Sequence, residues 1–315
     1  MEQRSLGRSG ITVPPLLFGG NVLGWTVDKA AAHRLLDCLV ELGLNAIDTA
    51  DMYSTWVPGH QGGESEAVIG DWLAARGGRD KVVIATKVGM KMGNGREGLS
   101  RAWIMEEVDA SLRRLRTDRI DLYQAHKDDP DTPLEETLGA FADLIKAGKV
   151  RAIGASNYSA PRLKAALEAS ARLGLPRYET LQPLYNLMDR AVFEAELAPL
   201  CQAEGIGVIN YYALASGFLT GKYRSEADFG KSQRGGGMAK YLNDRGRKVL
   251  GALDAVAAEL GAKPGQVAIA WLLAKPAVTA PIASATTIEQ LEELARAASL
   301  RLSGEQVARL DQASA

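Results

Sequence analysis

Short apolar runs alternate along the chain with longer stretches in which apolar residues recur at helical spacing. Continuous apolar runs fall at residues 16–20, 44–49, 82–88, 120–126, 150–156, 180–185, 207–212 and 278–284. Runs this short suit strands of a parallel sheet, which are covered on both faces. Between them, Leu134, Leu138, Phe141 and Ile145 form one apolar stripe, as do Ile104, Val108, Leu112 and Leu115. Ser100 is placed to cap the helix carrying the second stripe. Gly148, Gly174 and Gly205 follow predicted helix ends, where a left-handed residue is wanted. Ahead of the alternation, residues 4–6 and 11–13 flank a Gly-Arg-Ser-Gly turn and predict a hairpin. A further helix over roughly 303–311 trails the last run.

Eight strand–helix units with right-handed crossovers close into a (β/α)8 TIM barrel. The expected fold is therefore α/β: such a barrel with an N-terminal β-hairpin and an extra C-terminal helix, residues 1–315 forming one domain. No linker or low-complexity tract divides it. The long irregular stretch 215–242, which contains Gly235-Gly236-Gly237, predicts a mobile flap beside the active site.

Composition narrows the function classes. A net charge of -1 argues against a bulk electrostatic grip on nucleic acid or an anionic membrane. Arg113, Arg114, Arg116 and Arg119 form one local basic cluster, expected to be a solvated helix end. Cys38 and Cys201 both fall in helical patterns and are expected to be buried, reduced thiols. No CxxC, HExxH or Cys/His cluster occurs, so no metal is expected. The first ten residues lack the apolar segment of a signal peptide, and no run of about 18 apolar residues marks a membrane span. A cytoplasmic location is expected. Self-association into a homo-oligomer is left open.

In this barrel, active sites lie where the strands end. The second predicted strand ends in Asp48-Thr49, followed by Asp51 and Tyr53; the third ends in Thr86-Lys87, and the fourth in Gln124-Ala125-His126. Ser156-Asn157 ends the fifth, while Gln182 and Tyr211 lie in the sixth and seventh. A buried lysine at a strand end needs an anion, and Asp48 on the adjacent strand can supply it. A free phenol titrates near 10, too high for an ideal proton donor at neutral pH. Lys87 beside Tyr53 is expected to lower that value, and His126 to orient a bound carbonyl oxygen as negative charge develops on it. Taken singly, each of these residues could be structural. Their convergence favours chemistry.

At these residues the chain resembles the aldo-keto reductase superfamily. The resemblance is carried by Gly43-Leu44-Asn45-Ala46-Ile47-Asp48-Thr49-Ala50-Asp51-Met52-Tyr53, Gly63-Glu64-Ser65-Glu66 and Ala85-Thr86-Lys87. It continues through Ser111-Leu112, Asp118-Arg119-Ile120-Asp121-Leu122-Tyr123-Gln124-Ala125-His126 and Gly154-Ala155-Ser156-Asn157. Gly217-Phe218-Leu219-Thr220-Gly221-Lys222-Tyr223 and Glu289-Gln290-Leu291-Glu292-Glu293 complete it, over essentially the whole chain. The resemblance implies reduction of an aldehyde or ketone by a nicotinamide cofactor, with a tetrad on Asp48, Tyr53, Lys87 and His126 and with Tyr53 as proton donor. It implies that Ser156, Asn157 and Gln182 hold the carboxamide and that Tyr211 stacks on the ring, which fixes the hydride that faces the carbonyl. The segment 214–222, including Leu214, Ser216, Leu219 and Lys222, would follow the pyrophosphate; Ser284, Thr286, Gln290 and Glu293 would receive the adenosine.

Two positions depart from the family pattern. No Arg or Lys occurs in 282–290 to meet a 2'-phosphate, so NADPH is the first choice and NADH is admitted beside it. Leu294 stands where relatives often carry an adenine-contacting asparagine. Trp25, Trp56 and Lys127 sit in or beside strand-end loops and are candidate substrate contacts, with a small carbonyl compound as the expected partner. Gly93-Asn94-Gly95-Arg96-Glu97-Gly98 matches a dinucleotide fingerprint, but its turn is not tight and its third glycine precedes the cap Ser100, so a loop is expected. Two other classes remain: an aldolase-like barrel with Lys87 as Schiff-base lysine, which borohydride trapping would label, and a non-catalytic cofactor-sensing partner protein.

Overall fold

The computed structural model describes residues 1–315. The hairpin pairs β1 (Arg4–Ser5) with β2 (Thr12–Val13) in antiparallel register. Eight parallel strands follow: β3 (Leu17–Gly19), β4 (Ala46–Asp48), β5 (Val83–Val88), β6 (Ile120–Ala125), β7 (Val150–Ser156), β8 (Tyr178–Gln182), β9 (Gly207–Val208) and β10 (Ile282–Ala283). They lie in the order β10-β3-β4-β5-β6-β7-β8-β9. A parallel bridge between Val208 and Val278, with the Ile282 N–H donating to the Asn210 carbonyl, joins the last strand back to the first. The fold is the expected α/β barrel.

The helices α1 (Lys29–Glu41), α2 (Glu64–Arg76), α3 (Arg101–Leu115), α4 (Leu134–Lys146) and α5 (Ala160–Leu173) each connect neighbouring strands. The shorter α6 (Ala198–Glu204), then α7 (Asp244–Leu260), α8 (Pro264–Leu273) and α9 (Ile288–Ser299) complete the ring. The trailing α10 (Gly304–Ser314) is capped by Ser303. Ser100 caps α3 by accepting from the Trp103 N–H, and Gly148, Gly174 and Gly205 adopt positive φ after their helices, as the sequence predicts.

Alternation along each strand sorts its residues into two layers. Outward residues such as Ile47, Ile84, Tyr123, Ile153 and Leu181 pack against the helices. Inward residues Ala46, Ala85, Leu122, Ala152 and Ile209 form a second core with Leu6, Ile11 and Val13 of the hairpin, which plugs the N-terminal end. Gly207 admits that plug: a Cβ there would stand 2.6 Å from the Gly7 nitrogen.

The last three expected strands come out short or shifted. β8 stops at Gln182 because Pro183 has no N–H to extend the ladder. Beyond β9 only the Leu184–Tyr211 bridge continues the expected run 207–212, and Val278 is a single bridge ahead of β10. The expected flap 215–242 is folded into three short 3-10 segments, Ala215–Thr220, Glu226–Lys231 and Gly235–Tyr241. Met238 and Tyr241 bury themselves to anchor it, and the Tyr241 hydroxyl donates to Asp189 at 2.7 Å.

The arginine cluster corrects its expectation. Arg114 is not a solvated helix end: its Nε donates at 2.7 Å to the fully buried Glu66, and Nη2 pairs with buried Glu107. Arg116 and Arg119 stay at the surface, paired with Asp71 and Asp80. Cys201 is buried as expected; Cys38 is only partly buried, and both are free thiols.

Candidate active site

Above the apolar plug, the same inward positions turn polar. Asp48 follows Ala46, Lys87 follows Ala85, and Gln124 follows Leu122. Register sets Lys87 beside Gln124 and Ser156 beside Gln182. The Lys87 ammonium is 0% exposed and donates to Asp48 Oδ2 at 2.8 Å, the Thr49 carbonyl at 2.7 Å and Tyr53 Oη at 2.9 Å. All three of its hydrogens are thereby used. Tyr53 Oη donates to Asp48 Oδ2 at 3.2 Å, and Gln182 Nε2 donates to Asp48 Oδ1 at 2.9 Å. The buried pair is satisfied on every side, the condition under which burying two charges is tolerable.

The electrostatics correct one expectation. Burial, reinforced by the Asp48 carboxylate, holds the Tyr53 phenol well above its ordinary value of 10. Tyr53 is thus a neutral phenol, with the Lys87 ammonium in contact with its oxygen. Burial also pushes the Lys87 ammonium down, opposed by Asp48. His126 is held well below 6.5 by burial and then by Lys87, so its ring is neutral; Nδ1 is buried without a partner. Its ring lies edge-on to Tyr53, centroids 6.1 Å apart.

A cavity of about 1010 Å³ runs from this phenol to α9. Asp48, Tyr53, His126, Ser156, Asn157, Gln182 and Tyr211 line its inner part. Leu214, Ser216, Lys222, Ser284, Thr286, Gln290 and Glu293 line the remainder, and Trp25 and Trp56 line the cavity beside Tyr53. Three candidates do not face it. Lys87 lies beneath the floor, Leu219 is buried in the core, and Lys127 pairs with Glu97 at 2.6 Å. Asn157, at φ 57, is pinned by donating to the His126 carbonyl at 2.9 Å and accepting from Tyr211 Oη at 2.8 Å. Of the six non-glycine residues with positive φ, three (Asn157, Tyr212 and Ser216) line this cavity. Such strain gathers where a surface is shaped for a ligand.

The lining suits a dinucleotide. Lys222, Lys231, Arg234 and Lys263 face it against only Asp48 and Glu293, and Asp48 is spent on Lys87. Lys263, Arg234 and Asn21 were invisible in the motifs because each arrives from a different element; Asn21 accepts from Ser284 Oγ at 2.7 Å. The fingerprint-like residues 93–98 form a loop between β5 and α3 and do not line the cavity. No group of three or more His, Cys, Asp or Glu is arranged to hold a metal, and no helix is long and apolar enough to cross a membrane.

A barrel whose open end carries a buried ammonium, a carboxylate, a phenol and a neutral imidazole beside a polyanion-suited cleft defines a class of cofactor-dependent oxidoreductases. The family model described as "Aldo/keto reductase family" matches residues 15–315, and the chain belongs to that family, whose members use NAD(P)H. It is 38% identical to "Uncharacterized oxidoreductase YrpG" of Bacillus subtilis, over 97% of this chain and 93% of that one. It is 34% identical to "Aldo-keto reductase YhdN" of the same organism, over 97% and 91%. Similarity extends to a "Probable voltage-gated potassium channel subunit beta" of Arabidopsis thaliana, 36% identical over 93% and 90%.

Proposed function

We propose that this chain, working as one barrel domain, reduces an aldehyde or ketone to the alcohol with Tyr53 as the proton donor. One observation carries the reading: Lys87 is buried with its ammonium 2.9 Å from Tyr53 Oη and 2.8 Å from Asp48. A substrate oxygen received between Tyr53 Oη and His126 meets a neutral acid on one side and a neutral ring on the other. Bound in the cleft, the reduced nicotinamide supplies the hydride. As charge grows on the oxygen, the Tyr53 proton moves to it, and the phenolate left behind is stabilised by the ammonium already in contact. Asp48, fixed by Gln182, keeps that ammonium from turning away. Asn157 and Tyr211, hydrogen-bonded to each other, form a rigid wall suited to a planar ring.

NADPH is the proposed cofactor. Residues 282–290 offer no cation, but Lys263, at the N-terminus of α8, stands at the same end of the cavity, paired with Glu293. It can exchange that carboxylate for a 2'-phosphate. A Schiff-base role for Lys87 is disfavoured, since imine formation needs a free amine and this one has all its hydrogens donated. The test is a panel of aldehydes, ketones and sugars with NADPH and NADH, following cofactor oxidation. Carbonyl-dependent oxidation, faster with NADPH, is expected; no oxidation with any carbonyl overturns the reading.

A further inference from the structure

Tyr211 is not held by a sheet ladder. Its N–H donates to the Pro183 carbonyl at 3.0 Å, but Pro183 has no N–H to return the bond, and the pairing continues only as the Leu184–Tyr211 bridge. Two side-chain amides take over on either side. Asn210 Nδ2 donates to the Tyr185 carbonyl at 2.8 Å, and Asn186 Nδ2 donates to the Tyr212 carbonyl at 3.0 Å. Both asparagines are fully buried. Tyr211 is thereby clasped through residues 210 and 212, while its hydroxyl donates to Asn157.

Asn186 uses its whole amide. Its Oδ1 accepts from the Met188 N–H at 2.8 Å and the Asp189 N–H at 2.9 Å, and Nδ2 donates its second hydrogen to Asp189 Oδ2 at 3.1 Å. These partners fix which way the amide faces, since N–H groups only donate while a carbonyl and a carboxylate only accept. The turn it closes is anchored from behind. Arg245 donates to the Met188 carbonyl at 2.8 Å, and the Tyr241 hydroxyl donates to Asp189.

The tie falls on a strained residue. Tyr212 stands at φ 54, in the left-handed region that a bulky side chain rarely adopts, and its side chain is half exposed. Such a conformation persists only where the surroundings impose it. The buried amide that meets the Tyr212 carbonyl imposes it here.

Resting on the reductase reading above, we propose that Asn186, seconded by Asn210, is a positioning residue for the reaction. By fixing the Tyr212 carbonyl it holds Tyr211 as the wall on which the nicotinamide rests, and so governs hydride transfer. Asn186 itself does not line the cavity, so it acts through Tyr211 and Tyr212 alone.

The test separates the two halves of the dinucleotide. Fluorescence titration compares NADPH with 2'-phosphoadenosine diphosphate ribose, which lacks only the nicotinamide, in the native chain and in Asn186→Ala. NADPH affinity should fall roughly 5- to 10-fold in the variant, while affinity for the truncated ligand stays within about twofold. Single-turnover hydride transfer should slow by roughly 10- to 100-fold, the scale set by a misplaced reacting pair. Glycine adopts a positive φ without strain, so in a Tyr212→Gly background Asn186→Ala should slow that step by no more than about threefold further. Should Asn186→Ala fold poorly, Asn186→Asp carries the same comparison, since it keeps the two accepted bonds of the turn and loses the donated ones. Equal loss of both ligands marks a merely structural role and overturns the proposal. An unchanged hydride step, or an undiminished further loss in the glycine background, overturns it as well. Failure of the native chain to reduce any carbonyl sinks the reductase reading instead, and the binding comparison still decides whether Asn186 serves the nicotinamide half.

Discussion

The two ends of the barrel are built from the same strands, facing the same way, and differ by one inward step. At the N-terminal end Ala46, Ala85 and Leu122 meet Leu6, Ile11 and Val13 in one apolar cluster. Two residues further along each strand stand Asp48, Lys87 and Gln124, buried yet hydrogen-bonded to one another or to backbone. The apolar end gains from removing surface from water; the polar end bears the cost of desolvating two charges and recovers it only through complete pairing. The hairpin plug therefore answers for stability, and the rim is where the proposed chemistry falls.

The largest expected effect comes from unpairing the rim. Lys87→Met leaves Asp48 buried without its counter-charge and should cost about 3–5 kcal/mol in denaturant unfolding, with reduction lost. Asp48→Leu added to it should recover most of that stability and none of the activity. Recovery of activity in the double variant would contradict the assignment of the pair to chemistry. At the other end, Leu6→Ala should lower unfolding free energy by about 2–4 kcal/mol while kcat/KM stays within roughly twofold. A large fall in kcat/KM there would erase the contrast between the two ends.

A smaller effect is read in pH. His126 is held well below its ordinary 6.5, so between those two values the unfolded chain binds a proton that the folded chain refuses. Stability from this group is present above 6.5 and is lost as pH falls toward the depressed value. Unfolding of the native chain and of His126→Gln, compared at neutral pH and at about pH 5, should show a smaller acid loss in the variant. Equal losses would mean the imidazole titrates alike in the folded and unfolded chains.

Much of this was legible in the sequence because one-residue alternation and strand order are local properties. Asp48, Lys87 and His126 end predicted strands, and Ser156, Gln182 and Tyr211 follow from the same rule. What the sequence concealed depended on contacts between distant elements. Arg114 reads as one of several surface arginines until α2 brings Glu66 against it. The sign of the Tyr53 shift could not be read from its neighbour Lys87, since burial first and then the Asp48 carboxylate set it. Lys263 and Arg234 lie outside every motif, and only the closure of α8 and of the 3-10 segments on the cleft brings them to it. The ends of β8 and β10 depart from the apolar runs where Pro183 interrupts the ladder and where Val278 makes only one bridge.

Single-turnover hydride transfer in Tyr53→Phe, with cofactor binding followed by fluorescence titration, addresses the phenol itself. The chemical step should slow by roughly 10²- to 10⁴-fold while cofactor affinity stays within a fewfold of the native value. A chemical step unchanged in that variant would contradict Tyr53 as the proton donor.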